Sequence, residues 1–207
     1  MATTEVPDIV IGRLPIYLRA LTLMDEAGQE FTSSQELGQK LGIGSAQIRK
    51  DLSHFGEFGK QGTGYEIKYL REQISKILHV DRDWSVALVG FGDLGQAIAN
   101  YAGFANEGFH IQAIFENDST KIGQKVNNQV VVEDIAGLSA RITQQKIKIA
   151  IVAVPAPVAQ EVADKLVDAG VKAILSYAPI TLSIPDTVRV QYIDPVTHMQ
   201  RMTYYLD

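Results

Sequence analysis

Three glycines stand where an apolar run gives way to a helix-like pattern, in the sequence VALVGFGDLGQAIANY at residues 86–101. Gly90 permits a tight turn, Gly92 lets the backbone come close to a pyrophosphate, and Gly95 lets a helix pack closely on a strand. The N–H groups at the start of the following helix favour a bound phosphate. This spacing, after a strand and before a helix, predicts a loop that binds the pyrophosphate of a dinucleotide.

A carboxylate follows this loop at the distance expected of a ribose ligand. Glu116 lies twenty-one positions after Gly95, at the end of a second predicted strand. Its oxygens can accept hydrogen bonds from both hydroxyls of the adenine ribose, and its charge would repel a 2′-phosphate. The sequence therefore favours NAD(H) over NADP(H). Asp93, inside the loop, is expected to cap the helix, and Asp118 to act as a cap or turn residue.

The loops after two later predicted strands lie at the same carboxyl edge of the sheet. They read AVPAP at 153–157 and SYAPI at 176–180, and the nicotinamide half of the dinucleotide should rest there. Tyr101 and Tyr177 could face the cofactor. The predicted cofactor-binding residues are Gly90, Phe91, Gly92, Asp93, Leu94, Gly95, Tyr101, Glu116, Val154, Pro155 and Tyr177.

The groups that hydride transfer would need beside the nicotinamide are not evident in the sequence. His54 and His79 lie in the first half of the chain, His110 begins a strand, and His198 lies on the last predicted helix. No YxxxK pair surrounds either candidate tyrosine, and no paired carboxylates or metal-ligand spacing appear. A general acid or base is usually required for such chemistry. A cofactor that is bound without being consumed favours a sensor over an enzyme, and no metal site is predicted.

More than eighty residues precede the glycine loop, and their pattern predicts helices. Apolar residues between 7 and 27 recur at close to helical spacing. Ser33 or Ser34 can cap a second helix that Gly42 ends, and after a turn at Gly44 a third helix begins with a capping Ser45. Two short helices joined by a glycine turn are typical of a helix-turn-helix.

A glycine-rich stretch, GEFGKQGTGYEI at 56–67, follows the third helix. Glycines so spaced favour a tight hairpin whose tip can approach another backbone closely. Lys60 lies near that tip, so the stretch is predicted to form a basic wing beside a recognition helix. A plain glycine-rich connector is the alternative. A further helix, within YLREQISKILHVDRDW at 69–84, closes this part of the chain.

Beyond a short polar linker at 81–83, apolar strand-length runs alternate with helix-length segments, which indicates a parallel sheet covered on both faces. The strands are predicted in SVALVGF, HIQAIFE, QVVV, KIAIVAV, VKAILSY and RVQYI, and the helices at 94–105, 134–144, 156–169 and 196–206. The predicted fold class is α/β. It comprises a winged helix-turn-helix domain at 1–80, a Rossmann dinucleotide-binding domain at 84–194 and a C-terminal helix at 195–207.

Composition narrows the function further. The 207 residues include no cysteine, which excludes disulfides, thiol catalysis and thiolate metal sites. No apolar run approaches the roughly 20 residues that cross a bilayer, and the N-terminus lacks the pattern of a secretion signal. We therefore expect a cytoplasmic protein without a membrane partner.

The net charge of −5 hides a gradient along the chain. Residues 40–76 carry seven basic and four acidic side chains, whereas residues 81–207 carry ten basic and fourteen acidic ones. A locally basic segment on an acidic protein is typical of a compact DNA-contacting module. From charge alone, a solvated surface with chance clustering fits equally well.

Several stretches, in this order along nearly the whole chain, resemble the Rex family of redox-sensing transcriptional repressors. The stretches are RLPIYLRAL (13–21), SSQELGQKLGI (33–43), RKDLSHFGEFGKQGTGY (49–65), VGFGDLGQAIANYAGF (89–104), ILSYAP (174–179) and the terminal YYL. The resemblance implies a homodimer that binds a palindromic operator in double-stranded DNA when NAD+ dominates and releases it when NADH binds. It also implies that the terminal helix is exchanged between subunits. From sequence alone, Val196, Met199, Met202 and Leu206 could equally form the buried stripe of an ordinary core helix.

The resemblance also carries roles to individual residues. It places the recognition helix and the wing on DNA, and it places Tyr101 near the nicotinamide. Arg19 and Asp194 match a pair that links the DNA-binding domain to the cofactor domain. The DNA-binding residues implied are Ser45, Gln47, Arg49, Lys50, Ser53, His54, Lys60 and Gly62.

Three positions depart from the family pattern. Asp93 occupies a loop position where members more often carry a neutral or basic residue, and Glu116 replaces the more usual aspartate. Pro195 follows Asp194 where an aromatic residue near the nicotinamide is expected. These departures bear on cofactor affinity and on NADH/NAD+ discrimination more than on DNA binding.

Two other functions remain open from the sequence. A small NAD-dependent oxidoreductase could use the N-terminal helices as a dimerisation element only. A CoA-binding Rossmann module shares the glycine turn, although Glu116 disfavours it because CoA carries a 3′-phosphate on its ribose.

Overall fold

The computed structural model describes residues 6–60, 62–127 and 130–206, which form two compact units that meet in sequence between Arg82 and Asp83. Within this part of the chain, no helix is long and apolar enough to span a membrane.

The N-terminal unit packs its helices against a small antiparallel sheet of strand order β1-β3-β2. Its elements are α1 (Asp8–Ile11), α2 (Leu14–Glu26), β1 (Phe31–Thr32), α3 (Ser34–Leu41), α4 (Ser45–Ser53), β2 (Gly59–Lys60), β3 (Gly64–Glu66) and α5 (Ile67–Ile77). Apolar side chains spaced three or four residues apart on α2, α4 and α5 meet in one core. This is a helix-turn-helix (α3 and α4) followed by a β-hairpin wing (β2 and β3).

The single helix expected between residues 7 and 27 is two helices. The first ends at Gly12, and Pro15 lies in the first turn of α2. Proline has no N–H to donate and its ring clashes with the carbonyl four residues earlier, so a helix tolerates it only at its start. The break therefore falls at Gly12 and Arg13, directly before the turn that contains Pro15.

Helix ends in the helix-turn-helix follow most of the expected signals. The Ser33 hydroxyl accepts the N–H of Glu36 at 3.1 Å, and Gly42 ends α3 with a positive φ of 66°. The expectation for Ser45 is wrong: Gly44 is the N-cap of α4, and Ser45 is the first residue inside the helix.

The C-terminal unit is built on a sheet of strand order β10-β9-β8-β4-β5-β7-β6, in which all pairs of the described strands are parallel except β6 with β7. The strands are β4 (Trp84–Val89), β5 (Phe109–Glu116), β6 (Lys125–Val126), β7 (Val130–Asp134), β8 (Ile149–Val152), β9 (Ala173–Ser176) and β10 (Arg189–Tyr192). The helices are α6 (Asp93–Ala99), α7 (Gly103–Asn106), α8 (Leu138–Gln145), α9 (Ala156–Asp168) and α10 (Pro195–Thr203), with a 3-10 turn at Ile135–Gly137. Residue 129, the first of the predicted QVVV strand, lies outside the described residues.

Both faces of this sheet are buried, as the apolar runs predict. Val86 and Leu88 face the core under α6, whereas Ala87 and Val89 face the core under α8 and α9. The chain leaves β4 toward β5 on one side and reaches β8 on the other. This reversal of strand order is where open α/β sheets bind ligands.

Two helices differ from expectation in ways that matter for the site. The helix expected at 94–105 breaks at residues 100–102, between α6 and α7, and Tyr101 lies in that break. Helix α10 buries none of its residues on its own chain. The exposed fractions of Val196, Met199, Met202 and Leu206 are 58%, 66%, 65% and 77%, so this stripe is not part of the chain's own core.

Candidate functional site

The glycine loop lies at the reversal point of the C-terminal sheet. Gly90 directly follows β4, has a φ of +96°, and donates its N–H to the carbonyl of Phe115 at 2.8 Å. A Cβ on Gly90 would overlap the carbonyl of Ala153, and a Cβ on Gly95 would overlap the carbonyl of Gly90. These two glycines are therefore required by backbone packing. A Cβ on Gly92 would meet open space, which leaves room for a ligand at that point of the loop.

A cleft of about 660 Å³ opens beside this loop at the carboxyl edge of the sheet. Five predicted cofactor residues line it. They are Gly90, Gly92, Glu116, Val154 and Pro155. The cleft brings together the ends of β4, β5 and β8, as the positions of the predicted loops require.

Glu116 is the buried acid of this cleft, with 8% of its surface exposed. Its Oε2 accepts the N–H of Phe91 at 2.7 Å, and its Oε1 accepts the N–H groups of Asn117 at 2.7 Å and Asp118 at 3.1 Å. Burial acts to raise the pKa of Glu116, but these backbone N–H groups outweigh it and the pKa lies below its usual value. The cleft therefore contains a fixed negative charge, which suits ribose hydroxyls and opposes a ribose phosphate.

The other loop residues have distinct placements. Phe91 buries its side chain in the core, and Leu94 and Asp93 are exposed. The expectation that Asp93 caps the helix is wrong: Gly92 is the N-cap of α6, and the Asp93 side chain makes no capping bond. Asp118 is the turn residue expected, since its Oδ1 accepts both the N–H and the hydroxyl of Thr120.

Besides the loop residues Phe91, Asp93, Leu94 and Gly95, the predicted cofactor residues Tyr101 and Tyr177 do not line the cleft. Tyr177 packs with the apolar cluster of Val86 and Leu88 on one face of the sheet. Tyr101 lies after the far end of α6 and is 63% exposed. A Cβ on Gly103 would overlap its ring, and Phe104 meets the ring edge-on at 5.3 Å between centroids. Within one chain, the structure thus holds Tyr101 at a separate surface.

The sequence reasoning missed several cleft residues. Residues just beyond the β5 carboxylate and in the first turn of the helix after β8 could have been expected at this edge. The cleft residues outside the predicted cofactor set include Asn117, Asp118 and Lys121 after β5, Ile135 after β7, and Pro157, Val158, Glu161, Val162 and Lys165 on α9. Among the described residues, no group of His, Asp and Glu side chains could hold a metal ion.

A second site lies in the N-terminal unit, where α4 and the wing enclose a groove of about 550 Å³. Four predicted DNA-binding residues line this groove: Arg49, Ser53, Lys60 and Gly62. Arg49 Nη1 donates to the hydroxyl of Ser34 at 3.0 Å, which holds the guanidinium against the start of α3. Ser34 and Thr63 also line the groove and were missed by the sequence reasoning.

The remaining DNA-binding candidates lie on α4 or at its ends, outside this groove. Gln47 and Lys50 are exposed on the helix, and His54 is its exposed C-cap residue. Ser45 begins the helix and is half-buried. A helix with exposed polar and basic side chains beside a hairpin with a basic residue at its turn can contact bases and phosphates.

Close packing fixes the hairpin of the wing. Gly64 has a φ of +84°, and a Cβ there would overlap the carbonyl of Thr32. The N–H of Thr63 donates to the carbonyl of Lys60 at 3.1 Å, which closes the turn. Lys60 is thereby presented at the edge of the groove.

Arg19 and Asp194, the proposed coupling pair, belong to different units. Arg19 lies on α2 and lines a small pocket beside α3. Asp194 is the N-cap of α10, and its Oδ1 accepts the N–H of Val196 at 2.9 Å. Their link stays a prediction.

Family models match both parts of the chain. Residues 5–53 match a family described as the putative DNA-binding protein N-terminus, and residues 81–180 match the CoA binding domain. A protein of Chloroflexus aurantiacus named redox-sensing transcriptional repressor Rex is 54% identical over 97% of this chain and 94% of its own. A protein of the same name from a Roseiflexus strain is 52% identical over 98% of this chain and 91% of its own.

Solved structures agree over the same length. The crystal structure of RSP in complex with β-NAD+ and operator DNA has a TM-score of 0.93 and 39% identity, and covers 98% of this chain and 93% of that one. The complex of RSP with β-NADH has a TM-score of 0.89 and 37% identity, with 98% and 95% covered. RSP is described as a Rex-family repressor.

Proposed function

The chain belongs to the Rex family of redox-sensing transcriptional repressors, and from this we propose a function for each of its two sites. The protein binds operator DNA through α4 and the wing. It senses the NADH/NAD+ ratio through the cleft at Gly90 and Glu116. The sequence resemblance to Rex and the expected joining of a winged helix-turn-helix to a Rossmann domain are confirmed. Its relatives are repressors and not oxidoreductases, so its role is to sense NAD(H) without consuming it.

The observation that carries this function is the match over 98% of the chain to a repressor solved with both β-NAD+ and operator DNA. The match includes both sites described above. The groove between α4 and the wing supports the DNA contact, and the cleft supports the nucleotide contact.

The cleft supports NAD(H) as the cofactor. The open space at Gly92 leaves room for a pyrophosphate close to the backbone, and Glu116 presents a fixed carboxylate where a ribose would lie. When bound, the nucleotide supplies a ring that is cationic in NAD+ and uncharged in NADH. The same carboxylate disfavours CoA, because a 3′-phosphate on the ribose would meet a buried negative charge.

We propose that the active species is a homodimer. Helix α10 presents an apolar stripe that its own chain does not cover, and a second copy of the chain would bury it. Two recognition helices about 34 Å apart, one helical turn of DNA, would then read a palindrome. A DNA-binding repressor acts in the cytoplasm of a bacterium, and we place the protein there.

The switch requires two arrangements of this dimer. NADH releases DNA only if it binds the arrangement that is free of DNA more tightly than the other. An apolar nicotinamide pocket favours the uncharged reduced ring over the cationic oxidised ring, because burying an unpaired charge is costly. Tyr101 is the proposed contact that responds to the oxidation state of the nicotinamide ring. The Arg19–Asp194 pair is the proposed link from the cofactor domain to the DNA-binding domain.

Fluorescence anisotropy tests the function directly. A labelled palindromic duplex bound to the protein is titrated with NADH and, separately, with NAD+. We expect release by NADH at concentrations at which NAD+ leaves the complex intact. Equal release by both nucleotides contradicts the redox-sensing role, and binding to no palindromic fragment contradicts the repressor role.

A further inference from the structure

Asp51 is a buried carboxylate on α4, the helix proposed to contact DNA, and none of its surface is exposed. An unpaired buried carboxylate would destabilise the folded state, so hydrogen-bond donors must surround Asp51. Arg13 donates from Nε to Oδ2 at 2.5 Å and from Nη2 to Oδ1 at 2.7 Å. The Tyr17 hydroxyl donates to Oδ2 at 2.6 Å. Both partners lie at the start of α2, so Asp51 fixes α4 against that helix.

The fourth donor to this carboxylate is a residue of the DNA-binding face. Gln47 Nε2 donates to Asp51 Oδ1 at 2.7 Å, from one turn earlier on α4. Arg13, Tyr17, Gln47 and Asp51 are called the Asp51 network below. Burial acts to raise the pKa of Asp51, but the hydrogen bonds of the network lower it below its usual value, so the carboxylate is charged at neutral pH.

A charged carboxylate fixes which way round the Gln47 amide lies. Its Nε2 must face Asp51, because its carbonyl oxygen would be repelled there. The second N–H of Nε2 and the carbonyl oxygen Oε1 have no other partner in the part of the chain that the structure describes. Gln47 is exposed at the third position of α4. The N-terminal residues of a recognition helix are those that reach base edges.

One N–H donor beside one carbonyl acceptor is the pattern that matches the N7 and N6 atoms of adenine in the major groove. We propose that Asp51 is a positioning residue that fixes the Gln47 amide, and that Gln47 held in this way selects an adenine in each half-site of the operator. This inference rests on the proposed DNA binding and adds to it the base that one residue reads.

The test selects bound duplexes from a random pool with the full-length protein and compares the enriched half-site motif among variants. With Gln47→Ala, discrimination for adenine at one position of each half-site falls about tenfold, as expected for one bidentate contact, while the other positions keep theirs. Lys68→Ala is the control, because Lys68 is exposed on α5 and does not line the groove between α4 and the wing. We expect it to leave the motif unchanged. A Gln47→Ala motif identical to wild type overturns the inference.

Asp51→Asn tests the positioning role, because Asp51 is buried and cannot touch DNA itself. If the variant keeps its helical circular dichroism, we expect it to lose adenine discrimination at the same position as Gln47→Ala; retained discrimination overturns the role of Asp51. If it does not fold, Tyr17→Phe replaces it, since this change removes one donor to Asp51 and keeps the ring. A partial loss at that one position is then expected, and an unchanged motif overturns the role.

Failure of this inference is distinct from failure of the proposed function. A wild-type protein that enriches no motif contradicts DNA binding itself. In a different outcome, the wild-type protein enriches a palindrome and releases it with NADH, while the Gln47 and Asp51 variants enrich the same motif. That result contradicts only the recognition of adenine by Gln47.

Discussion

The backbone N–H of Phe91 donates to Oε2 of Glu116 at 2.7 Å, and this bond ties the glycine loop to the end of β5. The other carboxylate oxygen accepts two further N–H groups, from Asn117 and Asp118. The acid is therefore oriented before any nucleotide arrives. Such preorganisation lowers the cost of ordering the site on binding.

Glu116→Gln should weaken NADH binding. The amide keeps the size of the carboxylate. Both carboxylate oxygens accept backbone N–H groups, so the NH2 group that replaces one oxygen must face at least one N–H donor. One buried donor is left unsatisfied and the loop shifts, so we expect the Kd for NADH to rise about tenfold. Titration of NADH fluorescence measures this. Glu107→Gln, the same substitution at an exposed acid outside the cleft, serves as the control. An unchanged Kd in Glu116→Gln contradicts the assigned role.

Gly103→Ala should alter the response to NADH. The added methyl group overlaps the ring of Tyr101, so the ring must leave its place against Phe104. If Tyr101 reports the nicotinamide state, we expect the NADH concentration at half release of DNA to change at least about fivefold, or about 1 kcal/mol of coupling. Gly137→Ala is the matched control, because a Cβ there meets open space at an ordinary φ of −83°. Identical release curves for both variants and wild type would remove Tyr101 from the switch.

Met199→Lys should separate the proposed homodimer. The substitution places a charge in the centre of the α10 stripe, and burying it against a second copy is unfavourable. Analytical ultracentrifugation should show a monomer at micromolar concentration, and affinity for a palindromic duplex should fall with it. Gln200→Lys adds the same charge at the next position of the helix and should leave the dimer intact. A dimeric Met199→Lys protein contradicts α10 as the dimer contact.

Lys50→Ala should reduce the salt dependence of DNA binding. A lysine that neutralises one phosphate releases about one counterion, so the slope of log K against log salt should become about one unit shallower. Lys68 is exposed on α5, away from the groove, and Lys68→Ala should not change the slope. Equal slopes in wild type and Lys50→Ala would show that Lys50 does not contact a phosphate.

The Asp51 network should make stability fall at both extremes of pH. The pKa of Asp51 lies below its unfolded value, so the stabilisation is present above about pH 4 and is lost as pH falls through the folded pKa. Burial and the bond to Asp51 raise the pKa of Tyr17, so its contribution is present below about pH 10 and is lost as pH rises further.

Tyr17→Phe separates the two effects. It should lower the free energy of unfolding at pH 7 by about 2 kcal/mol, since it removes a hydrogen bond to a buried charge. The variant should also lose less stability than wild type above about pH 10. Urea unfolding at neutral and alkaline pH measures both quantities. Parallel pH curves for the two proteins would contradict the shifted pKa of Tyr17.

The parts of the fold that follow local rules could be predicted from the sequence. The glycine loop needs Gly90 and Gly95 for backbone packing, and the apolar runs of β4 and β5 are buried on both faces as their composition indicates. The helix breaks were missed. Hydrophobic periodicity does not reveal the break at residues 100–102, where the Tyr101 ring lies against Gly103 in the folded chain.

Asp51 illustrates what the sequence reasoning left out. In the charge balance of residues 40–76 it is one of four acids, although it follows Ile48 by three residues and precedes Leu52, both of which are buried. That spacing places it on the inward face of α4 and indicates a buried carboxylate. The partners, Arg13 and Tyr17, lie more than thirty residues away in sequence, so only the tertiary fold identifies them.

The exposed stripe of α10 also makes two methionine side chains of the unassembled chain accessible to oxidation. Met199 and Met202 are open to oxidants on a lone chain, whereas Met24 is only 2% exposed and is shielded in either state. Peroxide converts exposed methionine thioethers into polar sulfoxides. If α10 is the contact of the proposed homodimer, oxidation would therefore occur on newly made or dissociated subunits and make their stripe too polar to pair, while the assembled protein would be protected. Under oxidative stress, this NAD(H)-sensing protein would therefore lose its undimerised subunits first.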